Sequence, residues 1–271
     1  MPFAPSGMAR PSFCEKGMVV RMKIRPYLRE AALDRASIPD PGEYPFTIPA
    51  VKGLDTLVFH DRVTFFVGEN GMGKSTLVEA LATASGCCPE GGGRNYRLET
   101  HASHSPLYRY LRLVKGPLPP RDNFFLRAES FYNVATYVED LDRIAAAAPP
   151  VSEAYGGSLH ECSHGESFFA LLHNRLGGNG LYFFDEPEAA LSATRQMAML
   201  ARIHQLVRAG SQLIIATHSP ILLAYPDAVI YQLSEKGLET AAYEETAAYQ
   251  VTKGFLNRYP KVLAELLGDD T

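Results

Sequence analysis

Between Val63 and Ala84 the chain reads VTFFV, then GENGMGKST, then LVEALATA. A short apolar run, a turn holding three glycines and a stretch of good helix formers leave few folds open. The order predicts a buried strand, a tight turn and a helix. Gly68, Gly73, Lys74 and Ser75 occupy the fixed places of G-x-x-x-x-G-K-[ST]. Glycines let such a turn aim its amide N–H groups inward, and the helix that follows presents its positive end to the same point. Residues Gly68, Glu69, Asn70, Gly71, Met72, Gly73, Lys74, Ser75 and Thr76 are therefore expected to cradle phosphates. Lys74 should reach the β- and γ-phosphates, and Ser75 should offer its hydroxyl to Mg²⁺.

A second stretch, LYFFDEPEAAL at Leu181 to Leu191, complements the first. Four apolar residues end in adjacent carboxylates, as where a buried parallel strand delivers acidic side chains to its carboxyl edge. Pro187 stops the strand. Asp185 is expected to hold Mg²⁺ and Glu186 to orient or deprotonate a water attacking the γ-phosphate. Read together, the two stretches form one nucleotide-triphosphate site, with ATP and Mg²⁺ as cofactors. GTP is disfavoured because no NKxD-like base-reading motif occurs.

The order and spacing of these and three further segments resemble the ABC ATPase family. Ser163-His164-Gly165-Glu166-Ser167, twenty-two residues before Asp185, resembles the family signature LSGGQ. Ser163 and Gly165 match; His164 replaces a glycine, Glu166 the glutamine, and Cys162 stands in the place of leucine. The resemblance implies that Ser163, His164, Gly165 and Glu166 meet the γ-phosphate of a nucleotide carried by a second subunit. A helix N-cap with a capping box fits the same residues. LIIATHSP, Leu213 to Pro220, resembles the segment of the switch histidine and makes His218 a γ-phosphate sensor; a lone histidine after a strand also serves structure. Glu188 to Ser192 stands at the D-loop position, with Ala190 and Leu191 matching. The family's Q-loop has no glutamine here. Glu129, after FFLRA, takes its place as a γ-phosphate and Mg²⁺ ligand, or else marks a strand end before a helix from Ser130. An aromatic ahead of the P-loop stacks on adenine in the family; Tyr44 is the first choice and Phe46 the next, although packing explains most such rings.

The resemblance, covering about residues 20 to 235, implies an α/β fold: a three-layer P-loop NTPase like an ABC ATPase head, with a parallel core sheet, an antiparallel β portion and a small helical insert. Residues 1–17 are expected to be a loose arm and 18–271 a single ABC-type ATPase domain. MVVRMKIRPYL suggests an alternating strand, TLVFH and VTFFV should pair, and Gly86 to Thr100 should be a mobile loop. AVIYQLS and the helix-prone VTKGFLNRYPKVLAELLG should close the sheet and cover one edge.

The family pattern further implies a homodimer that closes head to tail on two ATP. Only thirty-four positions separate Glu129 from Ser163, short for the subdomain with which transporter ATPases grip their membrane partner. That favours an ATP-driven dimerisation switch on a DNA or protein partner. An ATP-binding transporter subunit and a nucleotide-binding regulator with little turnover are the alternatives. A net charge of −4 gives no global basic field, so strong nonspecific nucleic-acid binding is not implied. Local basic clusters at Arg21, Lys23, Arg25 and Arg29, and at Arg109, Arg112 and Lys115, read as solvated faces. No apolar run reaches the roughly 18 residues of a membrane span, and the four cysteines form no C-x-x-C pair, so a cytoplasmic protein with reduced thiols is expected. His101 and His104 read as a polar loop rather than a metal half-site.

Overall fold

The computed structural model describes residues 26–93, 104–128 and 168–268, together with the isolated Thr136, Asp142 and Glu153. Outside the described residues lie the arm 1–17, most of MVVRMKIRPYL, the basic residues Arg21, Lys23 and Arg25, His101, Glu129, Ser130, Cys162 and the segment Ser163 to Glu166.

Among the described residues the strands form two sheets. The larger has seven strands: β3 (Val63–Gly68), β4 (Gly92–Gly93), β6 (Asp122–Arg127), β7 (Gly180–Asp185), β8 (Gln212–Ala216), β9 (Val229–Ser234) and β10 (Gly237–Thr240). Their spatial order is β10-β9-β3-β8-β7-β6-β4. The five central strands run parallel, and β10 and β4 close the edges antiparallel. The smaller sheet, in the order β2-β1-β5, is antiparallel and joins β1 (Leu28–Leu33), β2 (Thr56–Val58) and β5 (Leu111–Lys115).

Period-two alternation divides the large sheet's residues between two cores. Val63, Phe65, Val67, Phe124, Leu126, Tyr182, Phe184, Leu213 and Ile215 face one core, with Met199, Ile203 and Leu206 of α3 (Ala193–Arg208). Those helix positions recur at the spacing of one helical face. Phe66, Phe125, Leu181, Phe183, Ile214 and Ala216 face the other, with Ala50 and Val51 of α1 (Pro49–Lys52), Leu77, Val78 and Leu81 of α2 (Lys74–Ala84) and residues of the smaller sheet. Burial on both sides explains why the central strands read as continuous apolar runs. The result is the expected three-layer α/β arrangement.

The smaller sheet is locked to the larger by one buried amide. The Gln212 side chain accepts from Leu28 N–H at 2.9 Å and donates to Leu28 C=O at 2.8 Å and His60 C=O at 3.0 Å. Beside it the Tyr27 hydroxyl donates to Gly210 C=O at 3.1 Å.

Several local expectations are corrected. TLVFH does not pair with VTFFV: β2 pairs with β1, and β3 lies between β8 and β9. Exposed Thr56 and Val58 flank the single buried Leu57, a pattern suited to an antiparallel strand with one wet face. The strand expected in MVVRMKIRPYL is untested over residues 18–25, which lie outside the described residues; its last residue, Leu28, opens β1. Gly86 to Thr100 is not simply a loop. Gly92 and Gly93 are buried and pair with Phe125 and Phe124 at the sheet edge, where the lack of side chains lets the backbone lie close. The C-terminal helix α5 (Ala247–Leu267) covers no edge. None of its residues is buried, its backbone is non-helical at Arg258 ahead of Pro260, and Val251, Phe255, Leu256, Tyr259 and Leu263 face outward. AVIYQLS does extend the sheet, as β9.

The Gln212 clamp has a measurable consequence. Gln212→Leu strands the Leu28 and His60 backbone groups in a buried site and should cost about 2 kcal/mol or more. Urea unfolding should show a lower midpoint with an unchanged slope.

Candidate nucleotide-binding site

The carboxyl ends of β3, β8 and β7 lie side by side because of their register. Phe66 pairs with Ala216, and Ala216 with Asp185. Beyond the strands the bonding continues: Thr217 N–H donates to Phe66 C=O at 3.0 Å, and Glu186 N–H to Ala216 C=O at 2.9 Å. The loops carrying Lys74, Asp185, Glu186 and His218 are thereby drawn to one edge.

The P-loop needs glycine for backbone reasons. Gly73 ends the turn at φ 95°, and a Cβ there would meet Ile48 Cγ2 at 2.3 Å. Gly71 is also left-handed, at φ 82°, with open space where its Cβ would lie. Lys74 starts α2 and folds back over its own loop. Its Nζ donates to Gly68 C=O at 2.9 Å and Glu69 C=O at 3.0 Å. Burial pulls the Lys74 ammonium below the ordinary lysine range, while Glu186, Asp185 and Glu188 pull it back up. Those three carboxylates are charged neighbours of the P-loop lysine among the described residues.

Asp185 ends β7 and is 4% exposed. Glu186, the next residue, sits in the left-handed region at φ 48°, a rare conformation for a non-glycine residue. His218 Nε2 lies 3.2 Å from Glu186 Oε1, at ion-pair distance though not aligned as a hydrogen bond. The loop under His218 is held by a set of internal hydrogen bonds. Ser219 N–H donates to Thr217 Oγ1 at 3.0 Å, and Ser219 Oγ donates to Gln196 Oε1 at 2.6 Å. The same Oγ caps α4 (Pro220–Leu223) by accepting from Ile221 and Leu222 N–H.

Three further residues were given no role of their own in the sequence. Glu188 Oε1 accepts from His218 N–H at 2.6 Å, joining the D-loop position to the histidine loop. Arg127, the end of β6 and the register partner of Asp185, places Nε 3.5 Å from Asp185 Oδ2. Its Nη1 donates to Glu79 Oε2 at 3.0 Å, and Glu79 Oε1 accepts from Ser105 N–H at 3.0 Å. Burial raises the Glu79 carboxyl above the usual range; the Ser105 bond and Arg127 oppose it. A signal was present: Arg127 is the one charge in the apolar run FFLRA, and Glu79 falls five residues after Lys74 in the same helix.

Other expected residues divide. Tyr44 is 62% exposed on the segment that leads to Ile48 and the P-loop, whereas Phe46 is buried edge-on against Tyr110. Packing therefore accounts for Phe46. Ser192 caps α3 through Arg195 N–H at 3.4 Å. Arg112 pairs with Asp34 and Arg109 lies over the Tyr108 ring, consistent with a solvated face. Cys87 and Cys88 are buried and outside any disulfide. Glu129, Ser163, His164, Gly165 and Glu166 lie outside the described residues, and their place relative to this cluster is not assigned.

Lys74, the P-loop amides and the N-terminus of α2 suit a triphosphate; the Ser75 hydroxyl and the Asp185 carboxylate are hard oxygen donors of the kind Mg²⁺ takes. The site defines a P-loop nucleotide-binding class. No family model matches the chain. Among curated proteins it is similar to an uncharacterised ABC transporter ATP-binding protein of Haemophilus influenzae, 27% identical over 188 residues, covering 65% of this chain and 71% of that protein. It is also similar to the ribose import ATP-binding protein RbsA of Yersinia pestis, 28% identical over 205 residues, 69% of this chain and 38% of that one. The macrolide export ATP-binding/permease protein MacB of Neisseria meningitidis is 26% identical over 187 residues, 60% and 27% respectively. The chain thus spans well under half the length of the MacB and RbsA relatives. Among solved structures, the SMC head domain of Thermotoga maritima aligns with TM-score 0.43 and 14% identity over 80% of this chain and 99% of that one. The cbiO1 protein of Clostridium perfringens aligns with TM-score 0.44 and 16% identity over 77% and 89%. All three curated relatives are named ATP-binding proteins, one of them of an ABC transporter, and motif order and site are consistent with an ABC-type P-loop ATPase. Among the described residues no helix is long and apolar enough to cross a membrane.

The glycine geometry predicts a graded response. Gly73→Ala meets both a left-handed backbone and the Ile48 methyl, and should cost more than the roughly 1 kcal/mol expected for backbone strain alone. Gly71→Ala has the strain without the clash and should cost less. Denaturation midpoints of the two variants should fall in that order.

Proposed function

We propose that the protein binds Mg·ATP and hydrolyses it to ADP and phosphate. The observation that carries this reading is the convergence of Lys74 with Asp185, Glu186 and Glu188 at one edge of the sheet. In this scheme the amides of Gly68 to Thr76 and the Lys74 ammonium hold the phosphates. Ser75 and Asp185 hold Mg²⁺, which neutralises phosphate charge, and Glu129 is a further proposed ligand. Glu186 orients the attacking water and takes its proton. His218, at ion-pair distance from Glu186, orients that carboxylate and senses the γ-phosphate. Catalysis then rests on in-line positioning and charge neutralisation rather than covalent chemistry.

Two copies closing head to tail would complete each site with Ser163, His164, Gly165 and Glu166 of the other chain, and Tyr44 would stack on the adenine. For the coupled partner, the relatives favour a membrane transporter: those compared above carry import, export or ABC transporter in their names. The switch on a DNA or protein partner drew its support from the short interval between Glu129 and Ser163; the relatives' names back the transporter-coupled reading better, and it stands first.

Glu186→Gln should keep nucleotide affinity within about threefold while phosphate release falls by 10²-fold or more, the scale of losing a general base. Lys74→Ala should instead lose most nucleotide affinity. Parent-rate phosphate release by Glu186→Gln would remove Glu186 from the chemistry.

A further inference from the structure

The Asp185 carboxylate is buried, and among the described residues its surroundings hold more acids than cations. Glu186 and Glu188 crowd the same lysine, and Glu79 lies on the far side of Arg127. Arg127 is itself largely buried, at 24% side-chain exposure, and it stands between two acids on different elements: Asp185 at the end of β7 and Glu79 within α2. The contact with Glu79 is a well-formed hydrogen bond at 3.0 Å; the approach to Asp185 is looser, at 3.5 Å. Glu79 cannot turn away freely, because its other oxygen is engaged by Ser105 N–H.

The geometry points to Arg127 as a counter-ion that Mg²⁺ must displace from Asp185, with Glu79 as the acid that keeps hold of the guanidinium when it yields. This inference rests on the proposed function, since it concerns the same Asp185. A fixed positive charge beside a divalent-cation site opposes that cation by simple Coulomb repulsion, while a neighbouring acid relieves the opposition. Arg127 would stabilise the buried carboxylate when no metal is bound and set the Mg²⁺ concentration at which nucleotide is captured. It acts through Asp185 and is a positioning residue.

The test is a Mg²⁺ titration of fluorescent ATP-analogue binding, started in chelator, on the purified protein and on Arg127→Met, Arg127→Lys, Glu79→Gln and the Arg127→Met/Glu79→Gln double variant. Removing the charge should lower the half-saturating Mg²⁺ concentration several-fold, towards about tenfold if screening is weak. Arg127→Lys keeps the charge and should titrate near the parent. Glu79→Gln should shift the midpoint the opposite way, and that shift should vanish in the Arg127→Met background, as required if Glu79 acts through the arginine. An Arg127→Met midpoint at or above the parent's overturns the inference. So does a Glu79→Gln shift that persists undiminished in the double variant. If Arg127→Met fails to fold, Arg127→Lys and Glu79→Gln decide: a midpoint raised by Glu79→Gln and unmoved by Arg127→Lys supports the counter-ion, and any other pair of results overturns it. A parent protein that captures nucleotide equally with and without Mg²⁺ would defeat the proposed function as well. Mg²⁺-dependent capture by the parent with unmoved variants would defeat only the role of Arg127.

Discussion

Parallel hydrogen bonding of β8 between β3 and β7 is the constraint on which the site depends. It fixes Ala216 opposite both Phe66 and Asp185, so the P-loop, the acidic pair and the histidine loop leave the sheet as neighbours. A slip of one residue in either pairing would exchange the two faces of a strand buried on both sides. The cost would fall on Phe65, Phe66, Phe183 and Phe184, all fully buried, before any effect on chemistry. Core packing and site assembly are therefore one specification.

At that edge the difficulty is electrostatic. A buried carboxylate is costly unless charge or hydrogen bonds compensate it, and here Asp185 has acidic neighbours in Glu186 and Glu188. Among the described residues, Lys74 and Arg127 are the cations the fold places beside these acids. Lys74 is shared with the P-loop carbonyls of Gly68 and Glu69, and Arg127 with Glu79. Lys74 thus divides its contacts between loop carbonyls and acids while Arg127 bridges two acids, which suits the proposed capture of a polyanion together with a divalent cation. Each ligand then brings the charge that the other leaves unbalanced.

The parts legible in sequence were those whose information is local. Strand, turn and helix around Lys74 are contiguous, and Asp185-Glu186 ends an apolar run, so residue type and order sufficed. His218 was placed by its position after another such run. What was hidden depends on pairings made far along the chain. The edge role of Gly92 and Gly93 required knowing that β6 lay beside them, and β2 took β1 as its partner although β3 was much nearer in sequence. Phe46 and Tyr44, two residues apart, looked alike until one was buried and the other exposed. Arg127 closes the apolar run FFLRA without a motif to mark it, and the register with Asp185 is what gives it meaning.

The left-handed backbone of Glu186 carries the reasoning a step further. Such a conformation persists only where the surroundings over-determine it, and here Pro187 follows at once, Glu186 N–H is held by Ala216 C=O, and Ala189 N–H returns to Glu186 C=O at 3.1 Å. The strain turns the chain sharply after Asp185, so that adjacent acids serve different directions: one buried beside Arg127, the other half-exposed beside His218. Regular strand geometry would also have separated the two, but by sending the second side chain through the sheet into a hydrophobic face. The turn keeps both at the polar edge. The proposed division between a metal-holding and a water-orienting carboxylate would thus follow from one unusual dihedral angle and the short loop that enforces it.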